Sequence, residues 1–226
     1  MLEFNFSKPT SAYSYDFEEV KLACFLNSIG AVAWHGLKKN VAAFERGDAS
    51  KRTSLKKKIK KHLKISQKNH CYYCGCKLDR FTDSGIHIDH ILPKGAIHGC
   101  YECFTFEPKN LVLACFRCNG TEFKYQKDYI LKYNKDYNLI SFKIVHPYFD
   151  DIVNYISCNM LGVVENINPA KDEGQYMIDE FDLNSEELIT LRLNSINTQA
   201  LKINPELQRL VDEAKKKMYP SGYVKV

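Results

Sequence analysis

Three Cys-x-x-Cys pairs stand close together in the middle of the chain: Cys71/Cys74, Cys100/Cys103 and Cys115/Cys118. A two-residue spacer lets both sulfurs of a tight turn converge on one ion at about 2.3 Å each, and two such turns complete a tetrahedral zinc site. Gly75 follows the first pair and Asn119-Gly120 follows the last, turn-formers where such knuckles want them. Six sulfurs exceed the four that zinc takes. The outer set, Cys71, Cys74, Cys115 and Cys118, brackets the segment most in need of an anchor and is the expected structural site. Spacing alone leaves the other pairings open, and Cys100/Cys103 are then free thiols or a contact pair. Cys24, Cys76 and Cys158 read as small core or surface thiols.

Between the outer pairs runs Ile86-His-Ile-Asp-His-Ile91-Leu-Pro-Lys. Its isoleucines alternate with polar residues, as on a half-buried strand. Asp89 and His90 are adjacent, so a regular strand points them to opposite faces, and a bulge or strand end is needed for both to approach one phosphate. A second strand is expected over Leu111-Val-Leu-Ala114, and a helix from near Thr121. His87 is expected on the strand surface or behind the reacting groups.

These residues resemble the HNH, or ββα-metal, endonucleases of the zinc-knuckle type. The likeness covers roughly residues 70–124: both knuckles, Asp89-His90, Pro93, Asn110 before Leu111-Val-Leu-Ala-Cys115, and Cys118-Asn119 occur in order. It implies a general base at His90, which a neutral imidazole suits. It implies Asp89 and Asn119 as protein ligands of one Mg²⁺ or Mn²⁺, whose hard oxygen preference leaves room for waters and phosphate oxygens. Asn110 is then the residue that orients the strand carrying the base. The last signature position is Asn119 rather than His, and Glu122 displaces the usual basic residue, leaving Lys124 as the nearest phosphate contact. A weaker likeness, in His146-Pro-Tyr and Leu183-Asn-Ser-Glu-Glu-Leu188 with Arg192, is to HNH effectors of bacterial anti-phage systems, the PtuB type of Septu and related retrons. It implies an ABC- or SMC-like ATPase partner.

The surrounding elements must position this hairpin. Asp16-Phe-Glu-Glu19 has the form of a capping box and opens a first helix that ends before Gly30. Trp34, Leu37, Val41 and Phe44 recur at helical spacing before Gly47. A third helix, from about Ser50 to Lys68, buries Leu55, Ile59 and Leu63 on one stripe. It carries nine Lys/Arg and no acid. Lys56, Lys57, Lys60, Lys61 and Lys64 are its expected phosphate-tracking face, joined by Lys94 and Lys124. Further on, Leu139–Val145 reads as a strand, and Phe149, Ile152, Val153 and Ile156 as one face of a helix. Asn184-x-x-Glu187 reads as a second capping box, and Asn204-Pro205 as a helix start.

The 226 residues are 45% hydrophobic, enough to bury a core and to exclude a disulfide-stapled mini-protein. No apolar run reaches the roughly 20 residues of a membrane span. The opening Met1-Leu-Glu-Phe-Asn-Phe lacks a secretory pattern, and nine cysteines are an odd number, so a cytoplasmic protein using cysteine for metal is expected. Residues 1–70 carry a net +8 of the overall +5, which points the N-terminal region at a polyanion. The expected fold is α+β, mostly α: a basic helical region over 1–69, a small ββα-metal core with its Cys₄ zinc over 70–127, and an α-rich scaffold or partner surface over 128–226. The expected activity is metal-dependent phosphodiester hydrolysis, of DNA by default and of RNA, including tRNA, as an allowed substrate. The competing expectations are a zinc module that binds nucleic acid without cutting it, and a nuclease subunit active only in a complex.

Overall fold

Asp16 opens the first helix by accepting the Glu19 amide at 2.9 Å, while the Glu19 carboxylate accepts the Asp16 amide at 3.2 Å. This reciprocal cap starts α1 (Phe17–Ile29), and Gly30, at φ +83°, ends it in a conformation that side chains resist. One turn, α2 (Val32–His35), then delivers Trp34 into the core at 6% exposure. The computed structural model describes residues 4, 6–35, 46–95, 101–125 and 127–218. Leu37, Val41 and Phe44, expected to extend this second helix, lie outside the described residues.

The basic helix, α3 (Arg46–Ser66), begins earlier than expected. Leu55, Ile59 and Leu63 are buried on its inner stripe, each contributing about 1.5–3 kcal/mol by leaving water. That burial offsets the repulsion among like charges on the outer face. Lys68 and Asn69, both left-handed, terminate it, with the Asn69 amide reaching back to the Lys64 carbonyl.

The chain then builds an antiparallel hairpin from β1 (Ile86–His90) and β2 (Leu111–Cys115). The register runs without a bulge from Ile86 opposite Cys115 to His90 opposite Leu111. All five residues of β2 are buried. Its outer edge is closed by Gln67, whose amide both donates to and accepts from the Leu113 backbone, and by the Tyr72 amide. Among the described residues the sheet has two strands, which leaves β1 as its other edge.

After β2 the expected helix near Thr121 does not form. The chain makes successive turns, with the Lys124 amide bonded to Cys118 and the Tyr125 amide to Gly120. Both spans exceed the four residues of an α-helix, because Phe123 and Lys124 are drawn into the core and Tyr125 adopts φ +38°.

The remaining chain adds two more hairpins, β3 (Ile130–Lys132) with β4 (Ser141–Phe142) and β5 (Ile156–Cys158) with β6 (Val164–Asn166). Three helices follow, α4 (Asp172–Glu180), α5 (Glu186–Ile203) and α6 (Pro205–Met218). The helical face expected over Phe149–Ile156 is instead a single 3-10 turn leading into β5, with Phe149 and Val153 exposed. Asn184 does not cap α5, since its amide pairs with the backbone of Val164 on β6. One hydrophobic core joins all three expected regions, through Leu26 and Ile59, Tyr73 and Val112, and Phe181 and Leu183. The whole is a mixed α+β fold. No helix among the described residues is long and apolar enough to cross a membrane.

Candidate functional site

The four sulfurs of Cys71, Cys74, Cys115 and Cys118 lie within 4.8 Å of one another, and all four residues are buried. The Cys74 and Cys115 sulfurs are 3.9 Å apart, close to the roughly 3.8 Å that a tetrahedral ion with bonds of about 2.3 Å imposes. Gly75, at φ +72°, makes the first knuckle turn, and a Cβ there would strike the Phe4 ring at 2.8 Å. The Cys115 amide points at the Cys71 sulfur at 3.4 Å. Burial raises the Cys71 thiol above its ordinary value, and four thiolates at this place would need a cation at their centre. Soft donors in this number and geometry can hold a metal ion such as zinc. Cys100 lies outside the described residues and Cys103 is exposed.

The register of β1 carries no bulge, and His90 is its last residue, so the adjacent Asp89 and His90 stand at the strand end. Asp89 faces the first knuckle, where the Tyr73 hydroxyl donates to its carboxylate at 2.6 Å. Burial raises its carboxyl above the usual range, opposed by the nearby ammonium groups of Lys124 and Lys94. His90 faces Trp34, edge to face at 4.4 Å, and its Nε2 bonds the Thr105 carbonyl at 3.0 Å. A carbonyl only accepts, so Nε2 carries the proton and Nδ1 keeps its lone pair. Burial, reinforced by Lys94, holds this imidazole well below its ordinary pKa, hence neutral.

Asn110 grips the chain just beyond His90. Its Oδ1 accepts the Leu92 amide at 2.7 Å, and its Nδ2 donates to the Leu92 and Phe104 carbonyls. A relay stands behind it. The Tyr148 amide donates to His146 Nδ1, so Nε2 bears the proton, bonds the Tyr137 hydroxyl, and Tyr137 donates to Asn110 Oδ1 at 3.1 Å. The same logic fixes Asn119. Ser84 O accepts from His87 Nε2, so His87 Nδ1 is an acceptor and the Asn119 amide nitrogen must face it, at 3.1 Å. His87 thus turns the Asn119 oxygen away from itself.

A cavity of about 440 Å³ opens at the edge of β1. Lys56, Lys57, Lys60 and Arg52 of α3 line it together with Lys94, His87 and Asn119. No protein-family model and no curated protein matches this chain. The cavity gathers cations from two separate stretches of sequence around the amide of the second knuckle. Burial beside Arg52 and Lys94 pushes the Lys56 ammonium down to about 8, and it rests 4.3 Å above the Trp34 ring. Asp89 and His90 are buried, at 5% and 3% exposure, and neither lines the cavity. Lys61 is exposed on α3, and Lys64 is tied with Lys60 to Asp83.

Lys124 is corrected. It was expected to touch phosphate, yet it is fully buried, donating to the Lys127 carbonyl and lying over the Tyr129 ring. Its ammonium acts on Asp89 instead. Sequence reasoning also missed the supporting roles of Tyr73 and His146. The tyrosine between two knuckle cysteines and the His-Pro-Tyr step were visible, but their partners were not.

Proposed function

We propose that this chain is a zinc-knuckle HNH-type endonuclease that hydrolyses phosphodiester bonds. The observation that carries the reading is the cationic cavity at the edge of β1, set against a hairpin anchored by four buried cysteines. Zinc at Cys71, Cys74, Cys115 and Cys118 is structural in this reading. Asp89 and Asn119 offer the oxygen donors that a hard ion takes, with His87 presenting the Asn119 oxygen. Mg²⁺ or Mn²⁺ held there supplies charge stabilisation at the phosphate. His90, neutral and with a free Nδ1, accepts the proton of the attacking water. Lys56, Lys57, Lys60 and Lys94 receive the nucleic-acid backbone, and Lys94 also stands within electrostatic reach of both Asp89 and His90. DNA is the default substrate. The weaker likeness extends the proposal to an anti-phage effector working with an ABC- or SMC-like ATPase.

The test offers plasmid, single-stranded DNA and total tRNA to wild type and His90→Ala with Mg²⁺, Mn²⁺ or EDTA, counting zinc on the same samples. Metal-dependent cutting that vanishes in His90→Ala supports the reading and names the substrate. Wild type that holds zinc and binds but never cuts, even with a genetically linked ATPase added, makes the chain a binding module. The burial of His90 beneath Trp34 favours a site that opens on engagement with substrate or partner.

A further inference from the structure

Two adjoining cavities of about 250 and 370 Å³ lie between the first knuckle and α5, sharing Phe4, Lys77, Ser195 and Gln199. Together they form one groove. Lys68, His70, Lys77 and Arg80 stand on its knuckle side, and Ser195 and Gln199, one turn apart on α5, on the other. Among the described residues no aspartate or glutamate lines it. The larger cavity between α1 and α3, about 740 Å³, differs, because its Lys21, Lys51 and Lys58 pair with Glu18, Asp48 and Glu19.

The knuckle's backbone holds the groove's cations in place. His70 and Lys77 face each other as an antiparallel bridge. The Cys71 amide bonds the Cys76 carbonyl at 2.9 Å on one side of it, and the Leu78 amide the Asn69 carbonyl at 2.8 Å on the other. His70 Nδ1 donates to the Lys68 carbonyl at 2.6 Å, which ties the ring to the residue where α3 gives way, at φ +50°. Lys68, Lys77 and Arg80 are exposed, and no ion pair holds them among the described residues. Asp79, on the same turn, is bonded to the Asn69 side chain and lines neither cavity. A concave surface of one sign focuses its field on an anion.

Lys68 also ends a row. Lys56, Lys60, Lys64 and Lys68 follow at four-residue spacing, one ridge of α3 continued through its last turn. Lys56 and Lys60 line the cavity at β1, and Lys68 lines the groove. A rise of about 1.5 Å per residue puts the ends of this row about 18 Å apart. That is the length of about five base pairs of duplex. The row meets one exposed carboxylate, Asp83, which pairs with both Lys60 and Lys64.

We propose that this groove is a second backbone-binding site for duplex DNA, gripping phosphates about five base pairs from those held at the cavity. The inference rests on the nucleic-acid reading above and adds a footprint to it. A duplex must span both sites before it gains the second grip.

The experiment follows the fluorescence anisotropy of two DNA hairpins on the full-length protein across a salt series, without added Mg²⁺ or Mn²⁺. One stem has about 4 base pairs, too short to reach both sites, and the other about 16. On the long stem, Lys77→Gln combined with Arg80→Gln lowers the slope of log affinity against log salt by about 1.8, two contacts at about 0.9 each. On the short stem, held at the cavity, the slope keeps its wild-type value. Ser195→Glu, on the opposite wall, alters no knuckle residue and weakens the long stem alone by about 5-fold. Ser141→Glu, the same charge exposed on β4, leaves both stems unaffected. Equal effects on the two stems, an unchanged long-stem slope in the double variant, or equal losses from Ser195→Glu and Ser141→Glu each overturn the proposal. A wild type that binds neither stem overturns the nucleic-acid reading itself, a result that appears before any variant is made.

Discussion

The hydroxyl of Tyr73 donates to the carboxylate of Asp89 at 2.6 Å, joining the first cysteine knuckle to the hairpin strand. Tyr73 sits between Cys71 and Cys74, is fully buried, and stacks on Phe181 at 4.3 Å. Its ring is held by the C-terminal half and its turn by the cysteines, so the position of Asp89 depends on both. The cysteine knuckle is therefore a support for the acidic residue.

Tyr73→Phe keeps the ring and deletes only the donor. On the proposed reading, in which Asp89 holds the catalytic ion, it is expected to lower metal-dependent cleavage by about 10-fold or more. Thermal stability falls by about 1–3 kcal/mol as the buried carboxylate loses a bond. Zinc content stays at the wild-type value. A rate unchanged at saturating Mg²⁺ would show that Asp89 needs no such orientation.

On the proposed reading of the four cysteines as a zinc site, removing the metal should undo the hairpin before the rest. A strong chelator, or Cys115→Ser, is expected to abolish the cooperative melting of the 70–125 segment, because β1 and β2 are only five residues each and cannot hold a register alone. Hydrogen exchange reads this directly: amide protection at Val112 and Leu113 collapses on chelation and returns with added Zn²⁺.

The cations divide into two groups by burial, and salt dependence separates them. On the proposed reading, Lys57→Gln and Lys60→Gln at the cavity are each expected to reduce the slope of log affinity against log salt on duplex DNA by about 0.9. Lys124→Met leaves that slope unaltered and instead lowers the melting temperature, since it strips a counter-charge from Asp89. A flattened slope in Lys124→Met would place that residue back on the binding surface.

Acid should weaken the fold through His146. Burial depresses its pKa from 6.5 to about 3, with Lys109 adding to the effect. Between those values the unfolded chain binds the proton and the folded one does not, so stability is complete above pH 6.5 and is lost as pH falls. The slope is about 1.4 kcal/mol per pH unit for this one proton. Denaturant midpoints for His146→Gln are expected to show a shallower decline from pH 6.5 to 4 than wild type. Parallel declines would mean that His146 does not titrate on unfolding.

What the sequence alone determined about this protein is local. The Asp16/Glu19 cap, the Leu55, Ile59 and Leu63 stripe, the two knuckles and both hairpin strands each follow from residues a few positions apart, where backbone geometry dictates who meets whom. Each Cys-x-x-Cys pair was legible for the same reason, but which two of the three pairs meet was not, since the fold brings Cys74 and Cys115 together from 41 residues apart. The tertiary structure decided everything that spans distance. It drew Lys124 inward beside Asp89, turned the Asn119 amide on His87, and set Tyr137 and His146 behind Asn110. It also replaced the expected helices at Thr121 and Phe149 with turns, because burying Phe123, Lys124 and Ile152 won over local helical spacing. Periodicity records which side chains prefer burial, but the partner that satisfies a buried polar group is chosen by the packing of remote segments.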